Sequence, residues 1–302
     1  MSTRSSAPLF RFASAGRGSQ YPWYRGLLES LAQLLYRGDW PAKLWALYPR
    51  ACHVTCMRQR LAILPPSAAS VRVGFVSDLH IGPTTPPALL DAAFELLGNE
   101  ALDVLLLGGD YVFLDADEAK AERLAALIRR VPAARKIAVL GNHDLWTDHG
   151  VLEAALRRAE VELLNNQSTR LPGDIAVIGL DEPWTGTLDA AAAVRDIGSP
   201  RALIVLCHSP DGLPEALRTV SALPGSPPGL YVCGHTHGGQ IAAPWGPIVV
   251  PSKVGRTYPF GLHLIPPLHL YVSRGVGATD LPMRSWAPPE VAVFELVAQR
   301  EA

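Results

Sequence analysis

Val71-Arg72-Val73-Gly74-Phe75-Val76-Ser77-Asp78-Leu79-His80 is a β-branched and aromatic run that stops at two metal-ligand residue types. The run reads as a strand. Residues two apart on a regular strand point the same way, so Asp78 and His80 can face one ion at the strand's carboxyl end. The same event recurs along the chain. Val104-Leu105-Leu106-Leu107 runs into Gly108-Gly109-Asp110, residues 137–140 into Gly141-Asn142-His143-Asp144, residues 203–207 into His208, and residues 230–233 into Gly234-His235-Thr236-His237. Taken singly, an Asp-x-His or a Gly-Asn-His is more often a turn, and a single His after a strand is more often a hydrogen-bonded core residue. Five such pieces, each directly after an apolar run, are not explained by turns.

Helical patterns separate several of these strands, at 87–97, 118–130, 151–158 and 188–196, and a further strand reads at 175–180. Strand and helix in alternation imply a largely parallel or mixed sheet covered by helices. After Gln240 the chain turns to short Pro/Gly-rich strands that end in 268–273 and 291–296. No long linker follows residue 70, so 70–302 is expected as one α/β catalytic domain, with 48% hydrophobic content to build its core.

The ligand types are informative in themselves. A carboxylate such as Asp110 can bridge two cations, which a neutral imidazole cannot, and the glycines before it permit tight turns close to an ion. Asn142 offers a neutral carbonyl oxygen, which leaves His143 beside the ions but free to donate a proton. Mixed imidazole and carboxylate ligands suit Mn, Fe, Zn or Co better than Ca, which prefers oxygen alone.

The amino-terminal part differs from the rest. Residues 1–60 carry nine basic side chains (Arg4, Arg11, Arg17, Arg25, Arg37, Lys43, Arg50, Arg58, Arg60) against Glu29 and Asp39, a net +7, which leaves 18 basic against 26 acidic, −8, on the remainder. Residues 1–23 are Ser/Gly/Arg/Pro-rich and expected to be a disordered basic tail. Residues 24–69 are expected to hold an amphipathic helical hairpin and a linker. Leu27, Leu28, Leu31, Leu34 and Leu35 share one face, and Pro41 suits the first turn of a second helix carrying Leu44, Trp45, Leu47 and Tyr48. Such a face can lie in a bilayer interface or pack on the catalytic domain, and the charge asymmetry favours an anionic membrane surface. No secretory signal or stretch of about 18 uninterrupted apolar residues is present. Four cysteines are too few and too unevenly placed for a disulfide framework; Cys207 and Cys233 end apolar runs and read as core.

The ordered series Asp-x-His, Gly-Asp, Gly-Asn-His-Asp, His and Gly-His-x-His, from Asp78 to His237, resembles the signature of the calcineurin-like metallophosphoesterase superfamily. The resemblance implies a four-layer α/β/β/α sandwich, here with the helical hairpin in front, and two divalent ions, Mn, Zn or Fe. It implies that Asp78, His80 and His237 bind the first ion, that Asn142, His208 and His235 bind the second, and that Asp110 bridges. It also implies His143 as proton donor with Asp144 as its orienter. The expected activity is hydrolysis of a phosphodiester or pyrophosphate bond by a metal-activated hydroxide, at an ion separation of about 3.5 to 4 Å.

His235-Thr236-His237-Gly238-Gly239-Gln240, Tyr271-Val272-Ser273-Arg274-Gly275-Val276-Gly277 and Pro288-Pro289-Glu290 are similar to a bacterial subgroup of membrane-associated phosphodiesterases related to UDP-2,3-diacylglucosamine pyrophosphatases of lipid A synthesis. A phosphodiester or nucleotide-lipid substrate follows from that, as does a cytoplasmic location, peripheral at the inner face of the cell membrane. Arg256, Tyr258 and Arg274, with Phe260, Trp184 and Trp245, are candidates for the substrate cleft. The acidic body argues against nucleic acid as partner. A non-catalytic scaffold with the same fold remains the contrasting reading, disfavoured because no ligand is missing.

Overall fold

Two helices, α1 (Trp23–Leu35) and α2 (Trp40–Ala46), open the computed structural model, which describes residues 23–48, 52–66 and 68–299. The expected disordered tail therefore lies outside the described residues, apart from Trp23. The hairpin is present, but its two helices behave differently. Trp45, Pro41 and Ala42 of α2 are buried, and Ala42 N–H donates to Pro83 O at 2.9 Å. The leucines of α1 are instead exposed. No helix among the described residues is long and apolar enough to cross a membrane.

The stretch expected as linker contains a strand, β1 (Thr55–Leu64). It then leads into β2 (Val71–Val76), α3 (Pro87–Gly98), β3 (Leu102–Leu107), α4 (Glu118–Arg129), β4 (Ala133–Ala138), the short α5 (Asn142–Leu145), α6 (His149–Arg158) and β5 (Glu162–Leu163). The polar run Arg58-Gln59-Arg60 hides the strand pattern of β1. As the edge of its sheet it keeps those side chains largely in water while Leu61, Ile63 and Leu64 are buried.

A second sheet follows with β6 (Gln167–Leu171), β7 (Ile175–Gly179), α7 (Ala190–Ala193), β8 (Ala202–Leu206), α8 (Leu213–Ser221) and β9 (Gly229–Cys233). The helix expected over 188–196 shrinks to one turn, capped by Asp189 through Ala192 N–H at 2.8 Å and lacking large apolar side chains to bury. Next come a small ribbon of β10 (Ala242–Ala243) and β11 (Gly246–Pro247), then α9 (Lys253–Thr257), β12 (Gly261–Ile265) and β13 (Leu268–Val272). The last strand, β14 (Glu290–Ala298), returns to the first sheet. The sheet orders are β1-β14-β2-β3-β4-β5 and β12-β13-β9-β8-β7-β6.

Period-two alternation sets the layers. Val73 and Phe75 of β2, Val104 and Leu106 of β3, and Ile204 and Leu206 of β8 meet in a core between the sheets. Val76, Leu105 and Leu107 face a second core under α3, α4 and α6. Leu203 and Val205 face a third under α7 and α8. Three cores separate four layers, the expected α/β/β/α sandwich. Helix α4 shows how the outer layer is fixed: Asp117 caps it through Lys120 N–H at 2.8 Å, Glu118 and Arg129 suit the helix dipole, and Ala121, Leu124, Ala125 and Ile128 are buried.

Strands β2, β3 and β4 run parallel, as do β7, β8 and β9. Burial on both faces of β3, β7, β8 and β9 explains why these runs were legible as buried strands. The loops after the carboxyl ends of β2, β3, β4, β8 and β9 hold every residue of the expected ligand set.

Candidate metal centre

Asp78 and His80 do not continue the regular strand: their φ values are 54° and 45°. Asp110 (55°), His235 (69°) and His237 (53°) share this left-handed conformation, which costs an L-residue roughly 1 to 2 kcal/mol. Five strained ligand candidates in one place, in a protein whose whole stability is of order 5–15 kcal/mol, are not a packing solution. Such strain collects where a site requires it.

The conformation lets side chains from both sheets converge. The first cluster is Asp78, His80, Asp110 and His237, with ligand atoms all within 4.8 Å of one another. His80 Nε2 lies 3.0 Å from His237 Nε2 and 3.6 Å from Asp110 Oδ2, and His237 Nε2 lies 3.5 Å from Asp78 Oδ1. The second cluster is Asp110, His208 and His235. His208 Nε2 lies 3.2 Å from Asp110 Oδ2, and His235 Nδ1 lies 3.3 Å from His208 Nε2 and 2.9 Å from Asn142 Oδ1. Asp110 Oδ2 therefore belongs to both.

Backbone contacts hold the loops in place. Asp110 Oδ1 accepts His143 N–H at 2.8 Å, which turns Oδ2 toward the clusters. Asp78 accepts Ser77 Oγ–H at 2.6 Å and His235 N–H at 2.9 Å, and His208 Nδ1 meets Gly108 O at 2.8 Å, so the two sheets are stitched at the site itself. Asp144, expected to orient His143, accepts four backbone N–H groups, from Asp110 (2.8 Å), Gly141 (2.9 Å), Tyr111 (2.7 Å) and Val112 (3.3 Å). That fills a carboxylate's acceptor capacity. Asp144 thus clamps the Asp110 loop to the Gly141 turn that carries His143.

Close packing explains two of the glycines. A Cβ on Gly141 would lie 2.1 Å from Asp110 Oδ1, and one on Gly234 would lie 2.1 Å from Asp78 Oδ2. Gly234→Ala is therefore expected to displace the Asp78 carboxylate and lower metal affinity about 10- to 100-fold, the range seen when a ligand's support is lost. A metal titration equal to that of the unaltered protein would contradict this.

The donor chemistry fits a divalent cation. Burial holds His80 down at about 4 and His235 at about 3, and burial with His80 and Arg284 alongside holds His237 well below the usual imidazole range. These rings present lone pairs. Burial raises the Asp78 carboxyl to about 6. For His208 burial opposes the charge, yet Asp110 against its Nε2 lifts it to about 10; burial likewise opposes the charge on Asp110, but His208 and His143 hold that carboxyl well below its usual range. Imidazole lone pairs and carboxylate oxygens, buried and converging, are what a divalent metal requires.

A cavity of about 530 Å³ opens onto the two clusters, a size suited to a small ligand. Asp110, Asn142, His143, His235 and His237 lie at its base, and Trp146, Trp184, Ile248, Val249 and Leu281 are among its walls. The His143 ring packs edge-on against His80 (4.9 Å) and Trp146 (4.8 Å). Trp184 rests on His235 at 4.5 Å and donates through Nε1 to Asp211 at 2.8 Å, while its backbone N–H is bound by the buried Glu182 carboxylate at 2.8 Å.

Three substrate candidates lie elsewhere. Arg274 is paired with Glu290 Oε2 at 2.5 Å and stacked over Phe260 at 4.1 Å. Tyr258 packs against His263 and the outer core, and Arg256 donates through Nε to Val250 O at 3.4 Å. None of the three lines the cavity. Trp245 does not line it either, whereas Trp184 does. Trp146, Gln240, Asp280 and Arg284 were not anticipated. Trp146 carried a local signal, two residues after Asp144, and Gln240 ends the His235–Gln240 run. Arg284 donates to Gly277 O (2.8 Å) and Arg274 O (2.7 Å) and lies 3.3 Å from His237 Nδ1.

Comparison with known proteins gives a family for the chain. Residues 71–239 match the calcineurin-like phosphoesterase family. The chain is 33% identical over 251 residues to Phosphodiesterase YaeI of Escherichia coli (strain K12), covering 80% of this chain and 87% of that protein. It is 28% identical over 261 residues to the uncharacterized metallophosphoesterase YkuE of Bacillus subtilis (strain 168), covering 83% and 87%. To UDP-2,3-diacylglucosamine pyrophosphatase LpxG of Chlamydia trachomatis it is 26% identical over 310 residues, covering 83% and 92%.

Proposed function

The chain belongs to the calcineurin-like phosphoesterase family, and we propose that it is a dinuclear-metal-dependent hydrolase of a phosphodiester or pyrophosphate bond. The observation that carries this is the position of Asp110 Oδ2, 3.6 Å from His80 Nε2 and 3.2 Å from His208 Nε2, at the junction of two donor clusters. Asp78, His80 and His237 would hold one ion, Asn142, His208 and His235 the other, and Asp110 both. Mn, Zn or Fe suits the mixed nitrogen and oxygen donors. When bound, a pair of such ions clamps phosphoryl oxygens and lowers the pKa of water to near neutrality.

The residues of the chain do the rest. Asp144 fixes the Asp110 loop through four backbone N–H groups, so the Asp110 carboxylate that would serve both ions is positioned before substrate arrives. His143 stands at the cavity wall outside both clusters, where it can give a proton to the leaving oxygen. Trp146 and Trp184 flank this base and exclude water from one side of the substrate.

A lipid-linked pyrophosphate such as UDP-2,3-diacylglucosamine is the more specific reading, supported by the LpxG relatives and by the apolar cavity walls. It accompanies a peripheral position at the inner face of the cell membrane, mediated by residues 1–60. The scaffold reading is opposed by a complete ligand set. The test is a panel of bis-p-nitrophenyl phosphate, p-nitrophenyl phosphate and UDP-2,3-diacylglucosamine in detergent, with protein loaded with Mn. The diester is expected to be cleaved faster than the monoester, and UMP release from the lipid would establish the specific reading. Two bound ions with no turnover of any substrate would leave the scaffold.

A further inference from the structure

The sheet edge that carries the second donor cluster has one more loop than the ligand set uses. Strands β9, β8 and β7 are parallel neighbours; the loop after β9 gives His235 and the loop after β8 gives His208. The loop after β7 stands next on that edge. Leu180 N–H donates to Leu206 O at 2.9 Å, and Cys207 Sγ lies 3.9 Å from Asp181 O. Glu182 and His208 follow three and two residues beyond the paired Gly179 and Leu206.

Glu182 is fully buried, which a carboxylate seldom is without a cation. Its Oε2 accepts Trp184 N–H at 2.8 Å, Thr185 N–H at 2.6 Å and Thr185 Oγ–H at 2.9 Å. Those bonds close a turn, but an amide oxygen would close the same turn without the cost of a charge. Oε1 is buried and has no hydrogen-bond partner among the described residues. The charge that acts most strongly on Glu182 is that of His208, and Glu182 acts on His208 in return.

The two clusters differ in what they could offer a cation. Asp78 and Asp110 give the first two carboxylates, whereas the second has Asp110 alone beside His208, His235 and the Asn142 oxygen. In a buried pocket one shared negative charge compensates a divalent ion poorly, and groups just outside the ligands commonly make up such a deficit. Glu182 also supports a ligand mechanically, because the turn it closes carries Trp184, whose ring rests on His235 at 4.5 Å.

We infer that Glu182 is a positioning residue for the second ion, supplying from outside the ligand set the negative charge that Asn142, His208 and His235 lack. This rests on the dinuclear reading and adds that the two ions are held by different means. The first is compensated by its own carboxylates, and the second depends on the 181–187 turn.

The test is stepwise manganese loading of the full chain, with unbound Mn followed by electron paramagnetic resonance and the thermal unfolding midpoint measured without metal. The unaltered protein is expected to bind two ions. Glu182→Gln, and Glu182→Met as a second variant of similar length, should bind the first ion as before and the second about 10- to 100-fold more weakly. Without metal both should unfold at the same temperature or higher, since a buried charge is gone. Thr185→Val removes a donor from the same turn but keeps the charge, and should leave the second affinity unchanged. The role of Glu182 is refuted if both of its variants bind two ions as tightly as the unaltered protein. It is equally refuted if Thr185→Val weakens the second ion as much as they do, or if both variants lose both ions along with metal-free stability; Glu182 is then a turn former. An unaltered protein that binds fewer than two ions overturns the dinuclear reading, and this role with it.

Discussion

Asp110→Asn is expected to fold, to lose both metal ions and to lower phosphodiester hydrolysis by at least about 10³-fold, because several kcal/mol of transition-state stabilisation go with the ions. The side chain sits in both donor clusters through one oxygen. Replacing it with an amide keeps the volume and leaves an oxygen to accept His143 N–H, now at 2.8 Å from the carboxylate. What is removed is the negative charge. The first cluster then retains Asp78 as its anionic ligand, and the second retains Asn142, His208 and His235, all neutral donors when a cation is held. Stability should not suffer in parallel, since a buried carboxylate is itself costly and sites built for function commonly give up stability for it. Elemental analysis together with a diester assay measures the effect. An Asp110→Asn protein that turns over at an appreciable rate would overturn the dinuclear reading.

His143→Asn separates chemistry from metal binding. The ring is not part of either cluster, and the backbone N–H that holds Asp110 survives the substitution. Two ions should remain bound, while the rate falls about 10²- to 10⁴-fold, the usual contribution of a positioned proton donor. The loss should be largest for substrates with poor leaving groups, since a good leaving oxygen needs no proton. If the variant loses metal, His143 is a ligand. If its rate is unchanged for all substrates, the residue is a bystander in the wall of the cavity.

Much of this site was legible because its strands are buried on both faces. Residues 71–76 and 104–107 are nearly unbroken apolar runs, so the point at which each run stops, at Ser77-Asp78 and Gly109-Asp110, marks the sheet edge. Strand β1 was not legible for the opposite reason: an edge strand with Arg58, Gln59 and Arg60 along its middle carries no continuous apolar signal. The cavity walls were hidden too. Ile248, Val249 and Leu281 lie in Pro/Gly-rich segments with no period, brought together by bonds between residues some forty positions apart, such as Gln240 with Leu281. Arg274 is the converse case. Its residue type suggested a phosphate ligand, and the structure holds it between Glu290 and Phe260, outside the cavity lining. Chemical type identifies candidates, and only the neighbours decide what each one does.

The proposed division of labour between His235 and His237 rests on the same geometry. They are two residues apart, yet His235 Nδ1 faces Asn142 and His208 while His237 Nε2 faces His80. The measurement that tests this most directly is anomalous diffraction from crystals loaded with manganese. Two peaks about 3.5 to 4 Å apart are expected, one among Asp78, His80 and His237, the other among Asn142, His208 and His235, with Asp110 between them. A single peak, or ions bound away from Asp110, would contradict the account.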